Sequence, residues 1–163
     1  MDPSRLTIVR HLLPISLLPF VVIVLVPFWL LSSYPSRFSP NWVLQLAGLA
    51  LFIIGFMLFV WCVGLFARIG QGTLAPWDPT RNLVARGPYQ YVRNPMISGV
   101  ALMLVGEALF VPSLALLSWS LTFMVINHLY FIFSEEPGME KRFGESYRSY
   151  KASVPRWLPK VHL

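Results

Sequence analysis

Charge is the scarcest feature of this sequence: only 12% of its 163 residues are Asp, Glu, Lys or Arg, against 56% hydrophobic. A soluble domain uses roughly a quarter charged residues to cover its surface. Half that fraction, with long uncharged runs and a mean hydropathy of +0.62, points to lipid as the solvent of most of the chain. Acidic residues are fewer still, 7 against 13 Lys and Arg, for a net charge of +6. No basic stripe with interleaved aromatics stands clear of the apolar runs, which argues against a nucleic-acid partner. The charge reads instead as topology, with Lys and Arg marking the cytoplasmic side. A single cysteine, Cys62, excludes an internal disulfide framework, and its apolar surroundings suit a small buried residue better than a thiolate nucleophile. The three histidines, His11, His128 and His162, are too scattered for metal-ligand spacing, so no metal is expected.

Long hydrophobic runs fill the remainder. Leu12 to Leu31 is about 20 residues, enough at about 1.5 Å each to cross the hydrocarbon. It is too long for a signal-peptide core and lacks a clear cleavage site, which predicts a retained helix. Pro14, Pro19 and Pro27 predict kinks that neighbouring helices tolerate in a membrane. After a polar turn at 32–41, a second span is predicted at 42–67, where Gly48, Gly55 and Gly64 offer places for close helix contact. A third, 96–111, is marginal in length. Pro112-Ser113 reads as a tight turn into a fourth, 114–134, and a polar, basic tail runs from Glu135 to Leu163. Cations gather before the first span, in the long polar stretch 68–95, and after the fourth. That pattern predicts four helices with both termini and the 68–95 loop in the cytoplasm. The expected fold is a single all-α integral membrane domain over residues 1–163, with about four transmembrane helices and a cytoplasmic C-terminal helical tail.

The unusual residues lie in the cytoplasmic segments. Gly87-Pro88-Tyr89-Gln90-Tyr91-Val92-Arg93-Asn94-Pro95 is a rigid turn sequence with two aromatics and a cation, directly before a helix. Its glycine permits close backbone approach, and the helix start after Pro95 offers free amides to an anionic group. On its own this loop also reads as an ordinary membrane-interface segment. Glu135-Glu136 ends the fourth apolar run, where a helix C-terminus disfavours anions. Either a cation such as Arg93 or a cationic ligand has to compensate, or the pair is solvated ahead of a helix break at Pro137-Gly138. Glu107 lies inside the third apolar segment, where a carboxylate is a functional candidate; its nearness to Pro112 equally suits the outer interface. Asn127-His128 is expected to hydrogen-bond between helices.

Together these segments resemble one family. Leu83-Val84, Gly87-Pro88-Tyr89, Arg93-Asn94-Pro95 and Gly99, then Glu135-Glu136, Phe143-Gly144, Tyr147, Tyr150, Val154-Pro155 and Leu158-Pro159 stand in an order similar to that of the isoprenylcysteine carboxyl methyltransferase family. A more distant resemblance is to the membrane phospholipid methyltransferases. The resemblance covers roughly 72–159 and implies an S-adenosylmethionine-dependent methyltransferase acting on a lipophilic small-molecule or lipid acceptor. The cofactor would sit on the cytoplasmic side, in segments of about 81–99 and 135–159. It would be held by Leu83, Val84, Gly87, Pro88, Tyr89, Tyr91, Arg93, Asn94, Pro95, Gly99, Glu135 and Glu136, with Glu135, Glu136 and Arg93 as the catalytic set. Tyr89 and Tyr91 would face the sulfonium. The glutamates would accept from the ribose hydroxyls or the cofactor amine. Arg93 and the amides after Pro95 would hold the methionine carboxylate.

Three departures bear on the acceptor. Asn94 stands where the family often has histidine, and Ile97 stands where a tyrosine is common. The stretch 129–133 carries no cation ahead of the acidic pair. These argue against a prenylated protein as acceptor. Phospholipid amine methylation, and a non-catalytic binding or assembly protein of the same fold, are the alternatives.

Overall fold

The computed structural model describes residues 18–36, 38, 39, 41–70 and 82–159. The predicted start of the first span (12–17), the turn cation Arg37, the 71–81 part of the long loop, and the last four residues lie outside them. The described residues are helical and joined by turns, with no strand among them. Four apolar helices follow in order: α1, Leu18–Ser33; α2, Trp42–Leu65; α3, Pro95–Phe110; and α4, Leu114–Phe143. A short amphipathic helix, α5, Glu145–Ser153, completes the fold.

Among the described residues, α2 and α4 are the helices both long and apolar enough to cross a membrane. In their most apolar windows just 17% and 22% of residues are buried, so the apolar side chains point outward, the reverse of a soluble core helix. Trp42, Leu46, Ile53, Phe56, Met57 and Trp61 make such an outward face on α2. With 16 residues, α3 reaches only about 24 Å.

The principal seam of the fold joins α2 to α3, antiparallel, through glycines at heptad spacing. A Cβ on Gly48 would stand 2.5 Å from the Gly106 carbonyl oxygen, and one on Gly55 2.5 Å from that of Gly99; the reciprocal distances are 2.6 and 2.8 Å. Backbone lies directly on backbone here, the arrangement that small residues permit between membrane helices. The next residue of the heptad is Cys62, fully buried with Val84, Tyr89 and Met96. Gly64, expected to join this contact, takes no part: a Cβ there would meet nothing within 4 Å among the described residues.

Both described helix-interior prolines follow one rule. A π-turn over Val21–Leu25 precedes Pro27, and another over Phe131–Glu135 precedes Pro137. Proline has no N–H to donate and its ring crowds the carbonyl four residues back. A wider i→i+5 turn just before it absorbs both defects without ending the helix. The break expected at Pro137-Gly138 is therefore absent: α4 runs on to Phe143, and Glu135 and Glu136 lie within it rather than at its C-terminus. The helix stops at Gly144, whose φ of +54° is left-handed backbone that glycine adopts at least cost.

The opposite end is closed by short turns. Asn41 caps α2 through Val43 N–H (2.8 Å), and Ser113 caps α4 through Leu116 N–H (3.4 Å), as side-chain acceptors do at helix starts. The Ser36 hydroxyl donates to the Pro112 carbonyl, tying the two turns together. Trp119 of α4 donates its indole N–H to Val22 O at 3.0 Å, a carbonyl of the first π-turn. Asn127, expected to bond across helices, instead returns to Phe123 O of its own helix (2.8 Å).

Candidate functional site

The loop before α3 is shaped first by its glycine. Gly87 has φ +59° and lies against Leu65 and Trp61 of α2. A 3₁₀ turn over Gly87–Gln90 follows and puts the Tyr89 ring inward, 5.5 Å from the Phe66 ring, while Tyr91 turns outward and is 61% exposed. Burial pushes the Tyr89 phenol well above its ordinary pKa, so it stays neutral.

The C-terminal segment then folds back over this loop. Tyr150 of α5 donates its hydroxyl to Tyr89 O at 2.7 Å, and Arg93 N–H donates to Pro155 O at 2.9 Å. Trp157 donates to His128 Nδ1 at 3.0 Å and meets Phe131 edge-on at 5.6 Å. The loop before α3 is thus held between α2 beneath and the tail above.

Glu136 is the electrostatic centre of this arrangement, with its side chain 7% exposed. Its Oε1 accepts from Arg93 Nη1 at 2.8 Å and from Arg156 Nε at 2.7 Å, while Lys151 Nζ lies 3.3 Å from Oε2. Lys151 also reaches Glu140 at 2.9 Å, the main reason its amine is held above the usual lysine range. A carboxylate this far from water needs several hydrogen-bonded cations to be tolerable, and the fold supplies three. Arg93 carries a second signal: its Nε is buried with no partner among the described residues.

Glu135, one residue earlier, lines a cavity of about 770 Å³ that Glu136 also borders. One end of this cavity is polar, formed by Tyr89, Arg93, Asn94, Glu135, Arg142 and Tyr150, and Arg142 is the cation whose charge acts on Glu135. The other end is an apolar arm between α1, α3 and α4, walled by Val22, Val100, Trp119, Phe123 and Ile126. Volumes of roughly 300–1,000 Å³ with a few convergent polar groups are typical of sites for organic ligands.

Of the residues proposed from sequence, the cavity brings together Leu83, Val84, Tyr89, Arg93, Asn94, Glu135 and Glu136. Gly87, Pro88, Tyr91, Pro95 and Gly99 do not line it. Gly87 and Gly99 seat the loop and α3 on α2, Pro88 and Pro95 are buried, and Tyr91 faces away. Sequence reasoning passed over Arg142, Lys151, Arg156 and Trp157. The signal for the last two was an Arg-Trp pair set between Pro155 and Pro159, a rigid segment with no reason to be polar and aromatic unless it docks. Among the described residues no group of His, Cys, Asp and Glu is arranged to hold a metal.

Comparison with curated proteins and with solved structures gives no match. The sequence model of the phospholipid methyltransferase family, however, matches residues 43–146, from the start of α2 through the seam, the loop and the acidic pair to the first residues of α5. Proteins of the isoprenylcysteine carboxyl methyltransferase type fall within that family, which is membrane-bound, in keeping with two helices able to cross a bilayer. The chain belongs to the phospholipid methyltransferase family.

Proposed function

We propose that the protein is an S-adenosylmethionine-dependent methyltransferase that acts on a lipophilic acceptor at the cytoplasmic face of a membrane. One observation carries this: a single cavity joins a polar chamber to an apolar arm between the helices. A polar cofactor and an apolar acceptor that must meet need a site of that kind. The family supports the reaction class, and the scarcity of cations at the turn end of the helices supports a four-span topology with both termini cytoplasmic.

The residues present fit the cofactor. Arg93 Nε, buried and without a partner among the described residues, is a ready donor for a carboxylate. Glu135 offers acceptors for ribose hydroxyls or an amine. Tyr89, the tyrosine of the loop that lines the cavity, presents a ring to a cationic sulfonium. When bound, the cofactor supplies an electrophilic methyl group for in-line displacement. The protein's part is then alignment and exclusion of water. Glu136, saturated by Arg93, Arg156 and Lys151, acts as a positioning residue that holds Arg93 at the chamber wall. Glu135 is the group in contact with ligand. An acceptor carboxylate arrives ionised and needs no base, whereas an acceptor amine would lose its proton to Glu135. The family match makes a phospholipid amine the second reading for the acceptor. A non-catalytic binding protein of the same fold is the reading from another class.

Calorimetric titration of S-adenosylhomocysteine into the purified protein tests the site. Wild-type binding that Glu135→Gln weakens at least about tenfold is expected, at unchanged melting temperature. No binding to folded wild-type protein refutes the enzyme reading. Incubation of membranes with methyl-labelled cofactor then identifies the acceptor, since label in phospholipid headgroups favours the second reading.

A further inference from the structure

The apolar arm of the cavity carries one polar side chain that its packing does not explain. The face that α4 turns to the cavity holds Trp119, Phe123, Asn127, Phe131 and Glu135, one at every fourth residue. Four of these suit their places. Trp119 spends its indole N–H on Val22 O, Phe123 and Phe131 are buried apolar rings, and Glu135 belongs to the polar chamber. Asn127 is half-buried and lies eight residues before Glu135, about 12 Å along the helix. The arm walls Val22, Val100, Phe123 and Ile126 bring no polar side-chain atom there. Tyr130 also borders the cavity, one turn nearer the chamber and 46% exposed.

The hydrogen bonds of Asn127 name what it can recognise. Its Nδ2 donates to Phe123 O at 2.8 Å, and only the nitrogen of a side-chain amide can face a carbonyl in this way. One N–H and the oxygen Oδ1 are left over, with no partner among the described residues. The oxygen is not enclosed by packing. An open amide edge in an apolar passage is costly unless the occupant answers it, and a leucine would fill the same place without that cost. A group that both donates and accepts matches this edge. We infer that the acceptor carries a hydroxyl or amide partway along its apolar chain, about 12 Å from the reacting end, and that Asn127 selects for it. Oδ1 accepts from that group and the free Nδ2–H donates to it. The inference rests on the arm holding the acceptor, as proposed above, and makes Asn127 a specificity-determining residue.

Methyl octadecanoate and its 10-hydroxy derivative serve as probes, the hydroxyl standing about as far from the ester as Asn127 stands from Glu135. An ester hydroxylated beside the carbonyl is the control for polarity alone. Detergent-purified protein is equilibrated with equal amounts of the three and re-purified, and the retained esters are extracted and quantified by mass spectrometry. Wild-type protein is expected to retain the mid-chain hydroxy ester about tenfold over the other two, the order of one hydrogen bond. In Asn127→Leu, shown to be folded by circular dichroism, that preference should vanish while the plain ester is retained at least as well, which a merely structural role would not produce. Equal retention of the three esters by wild-type protein, an equal preference for the control, or a preference that survives Asn127→Leu overturns the inference. Retention of none of them does so too, because the arm then takes no chain. Titration of S-adenosylhomocysteine into the same sample reports separately on the enzyme reading: selection by Asn127 without cofactor binding leaves the chain subsite standing and refutes methyl transfer.

Discussion

Alanine in place of Gly55, compared with alanine in place of Gly64, isolates the energy of the α2–α3 seam. Gly55 is in the interior of α2, and Gly64 is followed by a π-turn over Phe66–Gly70 that carries the helix on, so both substitutions gain a similar helix propensity, about 1 kcal/mol. They differ in what the new methyl meets. At Gly64 nothing lies within 4 Å. At Gly55 the Cβ would stand 2.5 Å from Gly99 O and 2.9 Å from Met103 N, against 3.4 Å for an ordinary contact. Those neighbours are backbone and cannot turn aside. The helices have to part locally by about 0.9 Å, and overpacking of that kind costs about 1–3 kcal/mol. Because the propensity gain is common to both variants, the difference between them reports the overpacking alone. Unfolding in mixed detergent micelles with increasing SDS, followed by helix content, measures it. Gly64→Ala should unfold at or above the wild-type midpoint, and Gly55→Ala about 1–3 kcal/mol below Gly64→Ala. If the two variants unfold together, helix contact through the glycines is not what holds α2 to α3, and the heptad argument fails.

Other substitutions address the ion cluster and the tail. Glu136→Ala leaves Arg93 and Arg156, 11% and 21% exposed, without their shared carboxylate; a loss of about 3–5 kcal/mol is expected, read by the same unfolding assay. Lys151→Met removes a cation that is 37% exposed and should cost less than about 1 kcal/mol, so the ranking of these two variants tests whether burial sets the strength. Tyr150→Phe deletes the bond to Tyr89 O at an expected cost of about 1 kcal/mol, and should weaken S-adenosylhomocysteine binding through the loop it steadies. Trp157→Phe keeps a ring against Phe131 but loses the donor to His128; proteolysis of the tail should quicken while the helical content measured by circular dichroism stays near wild type.

Much of this protein is legible in its residues alone. Scarce charge and long apolar runs settle a helical chain that seeks lipid, because an unpaired backbone in hydrocarbon leaves few other options. The turn at Pro112-Ser113, the burial of Cys62 and the opposition of Arg93 to the acidic pair follow from local chemistry and the need to compensate buried charge. The family resemblance, carried by motifs in fixed order, agrees with the match over residues 43–146. Three things required the tertiary structure. Pro137 looked like a helix end, since a single residue's missing N–H is visible in sequence while the π-turn that absorbs it is a property of the whole helix. Tyr89 and Tyr91 were indistinguishable until a 3₁₀ turn set one inward and one outward. Glu135 and Glu136, adjacent and chemically identical, point in different directions around a helix. Both border the cavity, and only the folded-back tail, which brings Arg156 and Lys151 onto one of them, decides that Glu136 is the one saturated by cations.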